Sequence, residues 1–376
     1  MVKVVHRCGI VGLTGVKKDA LDTEYSNLQT YLKTGSNLGL YSANKQQADR
    51  YYRKKKKNEY PLSIRNDLLK LDTDVENTLY HFWARLPMKK IKGGMWVALS
   101  PHKPIDLTAS ICESKVKRKK DGNYELHLVM EKDVEPAFSQ PRTIISVDLG
   151  SRNPATSVEF ATGRTYFPYA KTLRQIRGHY YHLRKTLGQK KSLKTIKKIG
   201  QSESRKVDDT CHKISREIVN HAKEQHAVIA IGMLQGVRKK KRKWISKNAK
   251  RKIHSMPSYK LAQMIRYKAE QEGIPVIETY EGYTSITCNR CGSEGVTLKP
   301  YQQHSQFKIP TRKGSNFKCP VCGYEDNSDR NGSINIGNRV SRYICDIGAS
   351  VNTPELEQWN QWFHKPTLEA THFNGW

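Results

Sequence analysis

The sequence predicts an α/β chain in two parts, an N-terminal β-rich unit with a helical insertion and a second unit of order βββ-α-β-α-β. Three observations predict it. Short apolar runs separated by turn signals fill the first 140 residues; from Pro141 buried-strand runs alternate with amphipathic stretches; and two C-x-x-C pairs interrupt the second pattern near its end. A chain of 376 residues has room for two or three domains.

The first element is an apolar strand over 2–12. Tyr25, Leu28 and Leu32 then stand at helical spacing over 22–32, and Gly35 ends that helix. Within 46–60, Arg53, Lys54, Lys55, Lys56 and Lys57 lie beside Tyr51, Tyr52 and Tyr60, a mixture that suits phosphates and stacked bases and equally a solvated basic face. Strands over 82–87 and 95–99 join through Gly93-Gly94. Those over 110–116 and 124–130 flank Asp121-Gly122, a hairpin signal. These strands predict a small twisted barrel.

In the second unit, a buried strand over 143–150 ends in Asp148, and strands over 155–160 and 164–167 complete a meander. Helices follow over 171–187 and 209–225, the latter with Cys211, Ile214, Ile218 and Ala222 on one face. A strand over 227–231 comes next, then a helix capped by Ser258 with Leu261, Ile265 and Ala269 inward, then a strand over 274–280.

Lys and Arg number 66 against 35 Asp and Glu, a formal charge of +31 that repels itself unless a polyanion lies against it, so nucleic acid is the expected partner. No run approaches the ~18 apolar residues of a membrane span, and residues 1–8 lack a secretion signal. A soluble protein inside the cell is expected. Cys8, Cys112, Cys211 and Cys345 stand alone and read as inert thiols. Cys288, Cys291, Cys319 and Cys322 form C-x₂-C pairs 27 residues apart, with Gly292 and Gly323 after each second Cys, which suits a closed tetrahedral Zn²⁺ site of structural role.

Asp148 gains meaning from a second acid, Asp329, at the start of a final helix, since metal-dependent phosphodiester hydrolysis needs carboxylates converging from several elements. Here the chain resembles the TnpB family, transposon-encoded relatives of type V CRISPR effectors and Fanzor proteins. The likeness rests on Asp148-Leu149-Gly150-Ser151-Arg152-Asn153-Pro154-Ala155-Thr156, on Thr284-Ser285-Ile286-Thr287-Cys288-Asn289-Arg290-Cys291-Gly292, on Cys319-Pro320-Val321-Cys322-Gly323-Tyr324 and on Asp329-Arg330-Asn331, and spans about residues 141 to 340. It implies an RNase H-like RuvC nuclease domain over 141–285 and 324–340, an inserted zinc ribbon over 286–323, a wedge-type β-barrel over 1–16 and 61–140, and a helical recognition insertion over 17–60. Residues 341–376 form a tail without a functional reading.

The resemblance implies an RNA-guided DNA endonuclease that binds a guide RNA, recognises a short motif beside double-stranded target DNA and cuts with one RuvC site. Asp148 and Asp329 are its first and third acids, holding Mg²⁺ or Mn²⁺. The second departs from the pattern. Most relatives carry Glu where this chain has Gly232 followed by Met233. Either the nuclease is inactive, leaving a guided DNA-binding repressor, or the acid is relocated to the next strand, where Glu281 matches the position used by Fanzors and some TnpB relatives. Glu278 is the nearby competitor and points to the opposite face. Arg330 is expected near a phosphate, and Asn331 as a helix cap or a group orienting the acid.

Further nucleic-acid contacts are expected from Lys119 and Lys120, from Arg238, Lys239, Lys240, Lys241, Arg242 and Lys243, from Arg174, Arg177, Arg184, Lys185, Lys190 and Lys191, and from His304, Lys308, Arg312 and Lys313. A DNA transposase is the weakest alternative, because no tyrosine nucleophile accompanies a His-rich metal motif. A monomer in a prokaryotic cytoplasm, associated with the nucleoid, completes the expectation.

Overall fold

The computed structural model describes residues 1–36, 39–52, 59–73, 79–150, 153–169, 171–233, 256–293, 312–313 and 316–346. It divides into two compact units, Met1–Val134 and Glu135–Trp376. The boundary falls a few residues before the expected one, because Phe138 joins the second core and stacks on His226 at 5.5 Å.

The first unit opens with β1 (Val2–Val11), followed by α1 (Gly15–Thr34) and α2 (Ser42–Tyr52). The Thr14 hydroxyl caps α1 by accepting the Lys17 N–H, and Gly35 ends it in the left-handed conformation, φ 77°. Then come β2 (Leu62–Ile64), β3 (Lys70–Thr73), β4 (Phe82–Met88), β5 (Ile91–Pro101), β6 (Ser110–Ile111), β7 (Ser114–Arg118) and β8 (Tyr124–Lys132). They form one antiparallel sheet of order β2-β7-β8-β1-β5-β4-β3, with β6 also on β8. Among the described residues the ladder path does not close into the expected barrel. Leu21, Tyr25 and Leu28 of α1 join Leu62, Leu86 and Leu126 of the sheet in one core, burial that drives the packing of helix on sheet. The Asp121-Gly122 turn is present as expected, with Arg118 paired to Tyr124 across it.

The second unit starts with β9 (Thr143–Asp148), β10 (Thr156–Glu159) and β11 (Thr165–Tyr166), then α3 (Thr172–Gln189), α4 (Leu193–Glu224) and β12 (Ala227–Met233). After these come α5 (Ser258–Gln271) and β13 (Val276–Tyr280), the short strands β14 (Arg312–Lys313), β15 (Asn316–Lys318) and β16 (Glu325–Asn327), and α6 (Ser328–Asp346). The main sheet has the order β11-β10-β9-β12-β13, with β9, β12 and β13 parallel and β10 and β11 antiparallel. Every residue of β9 is buried, the polar Thr143, Ser146 and Asp148 together with Ile144, Ile145 and Val147. Ile214 and Ile218 of α4, Ile265 of α5 and Ile336 of α6 fill the core with the central strands.

Two expectations are corrected. Helix α4 begins at Leu193 instead of near 209, because the polar stretch before Asp209 is held by α3: Arg177 and Arg184 both donate to Glu203, which is 4% exposed. Those two arginines are thus engaged within the fold. Ser258 is the first residue of α5 and not its cap, which is Pro257.

Candidate active site and cysteine cluster

In parallel α/β sheets the carboxyl ends of the strands gather loops at one edge, and functional groups collect there. Asp148 is the last residue of β9 and is 6% exposed. Pairing of Val147 with Ile231 sets Gly232 level with Asp148 on the adjacent strand, about 4.8 Å away. On the far side of β12, Gly232 pairs with Thr279 and Met233 with Tyr280, so Glu281 follows directly from the same edge.

Helix α6 lies across this edge. Asn327 caps it, its Oδ1 accepting the N–H groups of Asp329 at 2.9 Å and Arg330 at 3.3 Å. Asp329 therefore sits in the first turn, 5% exposed, where its Oδ2 accepts from Asn153 Nδ2 at 2.7 Å. Ser333 donates to the Ser146 carbonyl at 2.9 Å and pins α6 to β9. Gly332 makes the close approach possible: a Cβ there would stand 2.9 Å from Asp148 Oδ2.

The position that lacks the family's glutamate is filled from next door. A Cβ on Gly232 would meet Glu281 Cγ at 3.1 Å, Glu281 Cβ at 3.3 Å and Ile336 Cδ1 at 3.1 Å. The Glu281 side chain thus lies over the bare backbone of β12. Its Oε2 is buried without a hydrogen-bond partner, and burial pushes the carboxyl up to about 7. Glu278 is engaged elsewhere: it is 8% exposed and ion-paired with Arg266 of α5. The three acids share one edge; among the described residues the four cysteines form the one set of three or more donors within 4.8 Å of one another. A pair of ions ~3.5–4 Å apart does not require its ligands to touch. Hard oxygens, one of them buried and unpartnered, fit Mg²⁺ or Mn²⁺.

Two expected roles change. Arg330 does not present an open guanidinium: it donates to Asp326 Oδ2, Tyr324 Oη, Thr165 Oγ1 and the Gly163 carbonyl, the first at 2.5 Å and the third at 2.8 Å. Asn331 neither caps α6 nor touches an acid. Its Nδ2 donates to the carbonyls of Thr284 at 3.3 Å and Thr287 at 2.8 Å, and its Oδ1 accepts the Asn289 N–H at 3.1 Å. Asn335 donates to the same two carbonyls, each at 2.8 Å. Asn153, Gly332 and Asn335 escaped the sequence reading.

The cysteines sit at two facing turns, with Cys288 and Cys319 buried and Cys291 and Cys322 exposed. Sulfurs approach at 3.7 Å between Cys288 and Cys322 and at 3.6 Å between Cys291 and Cys319. Burial opposes ionisation of Cys319, but the Cys322 N–H and the Ser293 hydroxyl outweigh it and lower the thiol to about 6. Four such donors fit Zn²⁺ with no position left for water. Phe317 of β15 packs against Cys288 and Cys319 in a small core. Of the isolated thiols, Cys8 and Cys211 are buried, and burial raises each to about 11, as inert cysteines require.

Lys119 and Lys120 are exposed at the hairpin turn, as are Arg174, Lys185, Lys190 and Lys191 on and just after α3. Arg53, Lys54, Lys55, Lys56 and Lys57, the run from Arg238 to Lys243, His304, Lys308 and the tail after residue 346 lie outside the described residues, as do the side chains of Arg312 and Lys313. No described helix is long and apolar enough to cross a membrane.

Residues 259–336, from α5 through the cysteine turns into α6, match the family model described as "Cas12f1-like, TNB domain". A Cas12f2 CRISPR-associated endodeoxyribonuclease of a Micrarchaeota archaeon is 28% identical over 241 residues, 60% of this chain but 42% of the relative. A TnpB-like protein of Aquifex aeolicus is 25% identical over 276 residues, covering 65% of this chain and 86% of the relative. Among solved structures, a Cas12f1–sgRNA–target DNA complex aligns with 86% of this chain and 74% of its own at a TM-score of 0.53 and 15% identity, a likeness of fold. The matched segment and the curated relatives make this chain similar to TnpB-like and Cas12f proteins, and the solved complex shares its architecture.

Proposed function

We propose that the chain is an RNA-guided DNA endonuclease whose acids are Asp148, Glu281 and Asp329, with Glu281 replacing the glutamate absent at Gly232. The observation that carries this reading is the Glu281 side chain, whose Cβ and Cγ lie over Gly232 and whose Oε2 is buried and unpartnered, on the same edge as the other two acids. A surface glutamate without a role would turn to water, since an unpaired buried carboxyl oxygen is costly. The basic composition and the relatives support guide RNA and a double-stranded DNA target as partners.

When bound, a pair of divalent ions supplies a nucleophile at neutral pH and stabilises the departing 3′ oxygen. Asp148, fixed by β9 and by the close pass of Gly332, and Asp329, fixed by the cap of α6 and by Asn153, are the rigid donors. Glu281 holds its proton near neutrality and releases it when a cation takes its place. The cysteine cluster, holding Zn²⁺, would tie the turn after Glu281 to the strands β15 and β16 that lead into Asp329.

The test uses protein purified with its co-expressed RNA, incubated with Mg²⁺ and a plasmid library carrying randomised bases beside the target. Cleavage is expected, lost in Asp148→Ala and in Glu281→Ala. Specific binding without cuts would establish the repressor instead.

A further inference from the structure

Two residues beyond Glu281 the chain presents an aromatic ring to solvent. Tyr283 is 62% exposed, and its φ of +65° is a conformation that a bulky residue keeps only when its surroundings impose it. The imposing groups are clear. The Tyr283 carbonyl accepts the backbone N–H groups of Ile286 and Thr287, each at 3.0 Å, and the Thr287 hydroxyl at 2.9 Å. Just before it, the ring of Tyr280, 43% exposed, folds over Gly282, where any Cβ would fall on the ring. Arg339 of α6 clamps the pair, donating to the carbonyls of Tyr280 and Gly282 with its guanidinium 5.9 Å from the Tyr280 ring centre.

Strained backbone conformations cluster at functional sites, and one that displays a large ring two residues from a buried acid points to a contact outside the fold. The chemistry next door says which contact. An acid edge that hydrolyses a phosphodiester must hold one phosphate still, and a nucleotide is most simply fixed by its base, whose face stacks on an aromatic ring whatever its identity. We propose that Tyr283, backed by Tyr280 and Arg339, is the positioning residue that stacks an unpaired nucleobase of the strand being cut and so seats the neighbouring phosphate at the acids. This rests on the nuclease reading above. The ring does the stacking, and the hydroxyl is dispensable.

Full-length protein with its co-purified RNA, without added Mg²⁺ or Mn²⁺, is irradiated with a single-stranded DNA carrying 5-iodouracil in place of thymine, and the crosslinked peptide is mapped by mass spectrometry. The crosslink is expected on Tyr283 in the native chain and on the ring at that position in Tyr283→Phe. Tyr283→Asn keeps a residue suited to left-handed backbone while removing the ring. Tyr283→Leu keeps bulk without a π face. In both, the crosslink disappears and the Kd for fluorescent oligo-dT rises about tenfold, ~1.4 kcal/mol, at about 0.3 M salt, where phosphate contacts are screened. Retained zinc and an unchanged melting temperature show that the variants fold. A crosslink that falls elsewhere, or an unchanged Kd in both variants, overturns the proposal. Scission in added Mg²⁺ is scored separately. A native chain that crosslinks at Tyr283 but never cuts removes the nuclease reading and keeps the stacking residue; normal cutting with native-like binding in Tyr283→Asn does the reverse.

Discussion

In the cysteine cluster the four Sγ atoms stand within 4.8 Å of one another, and Ser293 and the Cys322 N–H stabilise the sulfurs before any ion arrives. At the acid edge the donors come singly, from the end of β9, from the turn after β13 and from the first turn of α6, and one oxygen of Glu281 is left without a partner. The contrast fits the proposed roles. A closed set of soft donors completes itself and would lend its energy to the fold, whereas an edge that is to admit an ion pair and a phosphate is left incomplete, and the incompleteness appears as a buried orphan oxygen on a carboxyl whose pKa burial raises.

Removing the soft cluster is expected to have the largest effect. Apparent zinc affinity in such sites is worth ~10 kcal/mol or more, so Cys319→Ser or exhaustive chelation should render the two cysteine turns sensitive to protease and abolish cutting together. The contrast breaks if chelation leaves proteolysis unchanged. Next is Glu281→Gln, which should reduce cleavage about a thousandfold, ~4 kcal/mol at the transition state, with the melting temperature unchanged or raised and guide binding intact in a mobility-shift assay. Gly232→Ala comes third, because its methyl group meets Glu281 and Ile336 at 3.1 Å and must displace the carboxylate. Cleavage should fall about tenfold, and moving the acid back, as Gly232→Glu with Glu281→Gly, should recover part of the Glu281→Gln loss.

The pH effect is the smallest and has a definite sign. Burial raises the folded Glu281 carboxyl to about 7 from 4.5, so between those values the folded chain holds a proton that the unfolded chain has lost. Stability of the ion-free protein therefore declines as pH climbs from about 4.5 to about 7. A cation that displaces the proton reverses this, so Mg²⁺ should raise the melting temperature more at about pH 8 than at about pH 6, and cleavage should rise through about 7. Differential scanning fluorimetry should show both trends flattened in Glu281→Gln.

Local features were readable from sequence. The Ile144, Ile145 and Val147 strand before Asp148, the Asp121-Gly122 turn and the paired cysteines each encode their structure within a few residues. What escaped depends on partners far along the chain. Asn153 lies 176 residues from the Asp329 it steadies, and the room that Gly232 gives Glu281 exists only after β12 and β13 pair. The first half of α4 offers Leu193, Ile196 and Ile199 at helical spacing among many polar residues, a thin signal that was missed, and its buried anchor is an ion pair, Glu203 with two arginines of α3. Arg330 is a different kind of miss. Its partner Asp326 lies four residues earlier but on β16, before the helix begins, so the helical pairing rule does not point to it.

Helix α6 grips the turn between Glu281 and Cys288 with two asparagine amides while a serine ties the same helix to the strand of Asp148. The turn of the cysteines and the strand of the first acid therefore hang from a single rod, so in the proposed nuclease a disturbance at the sulfurs would reach the acids without touching one carboxylate.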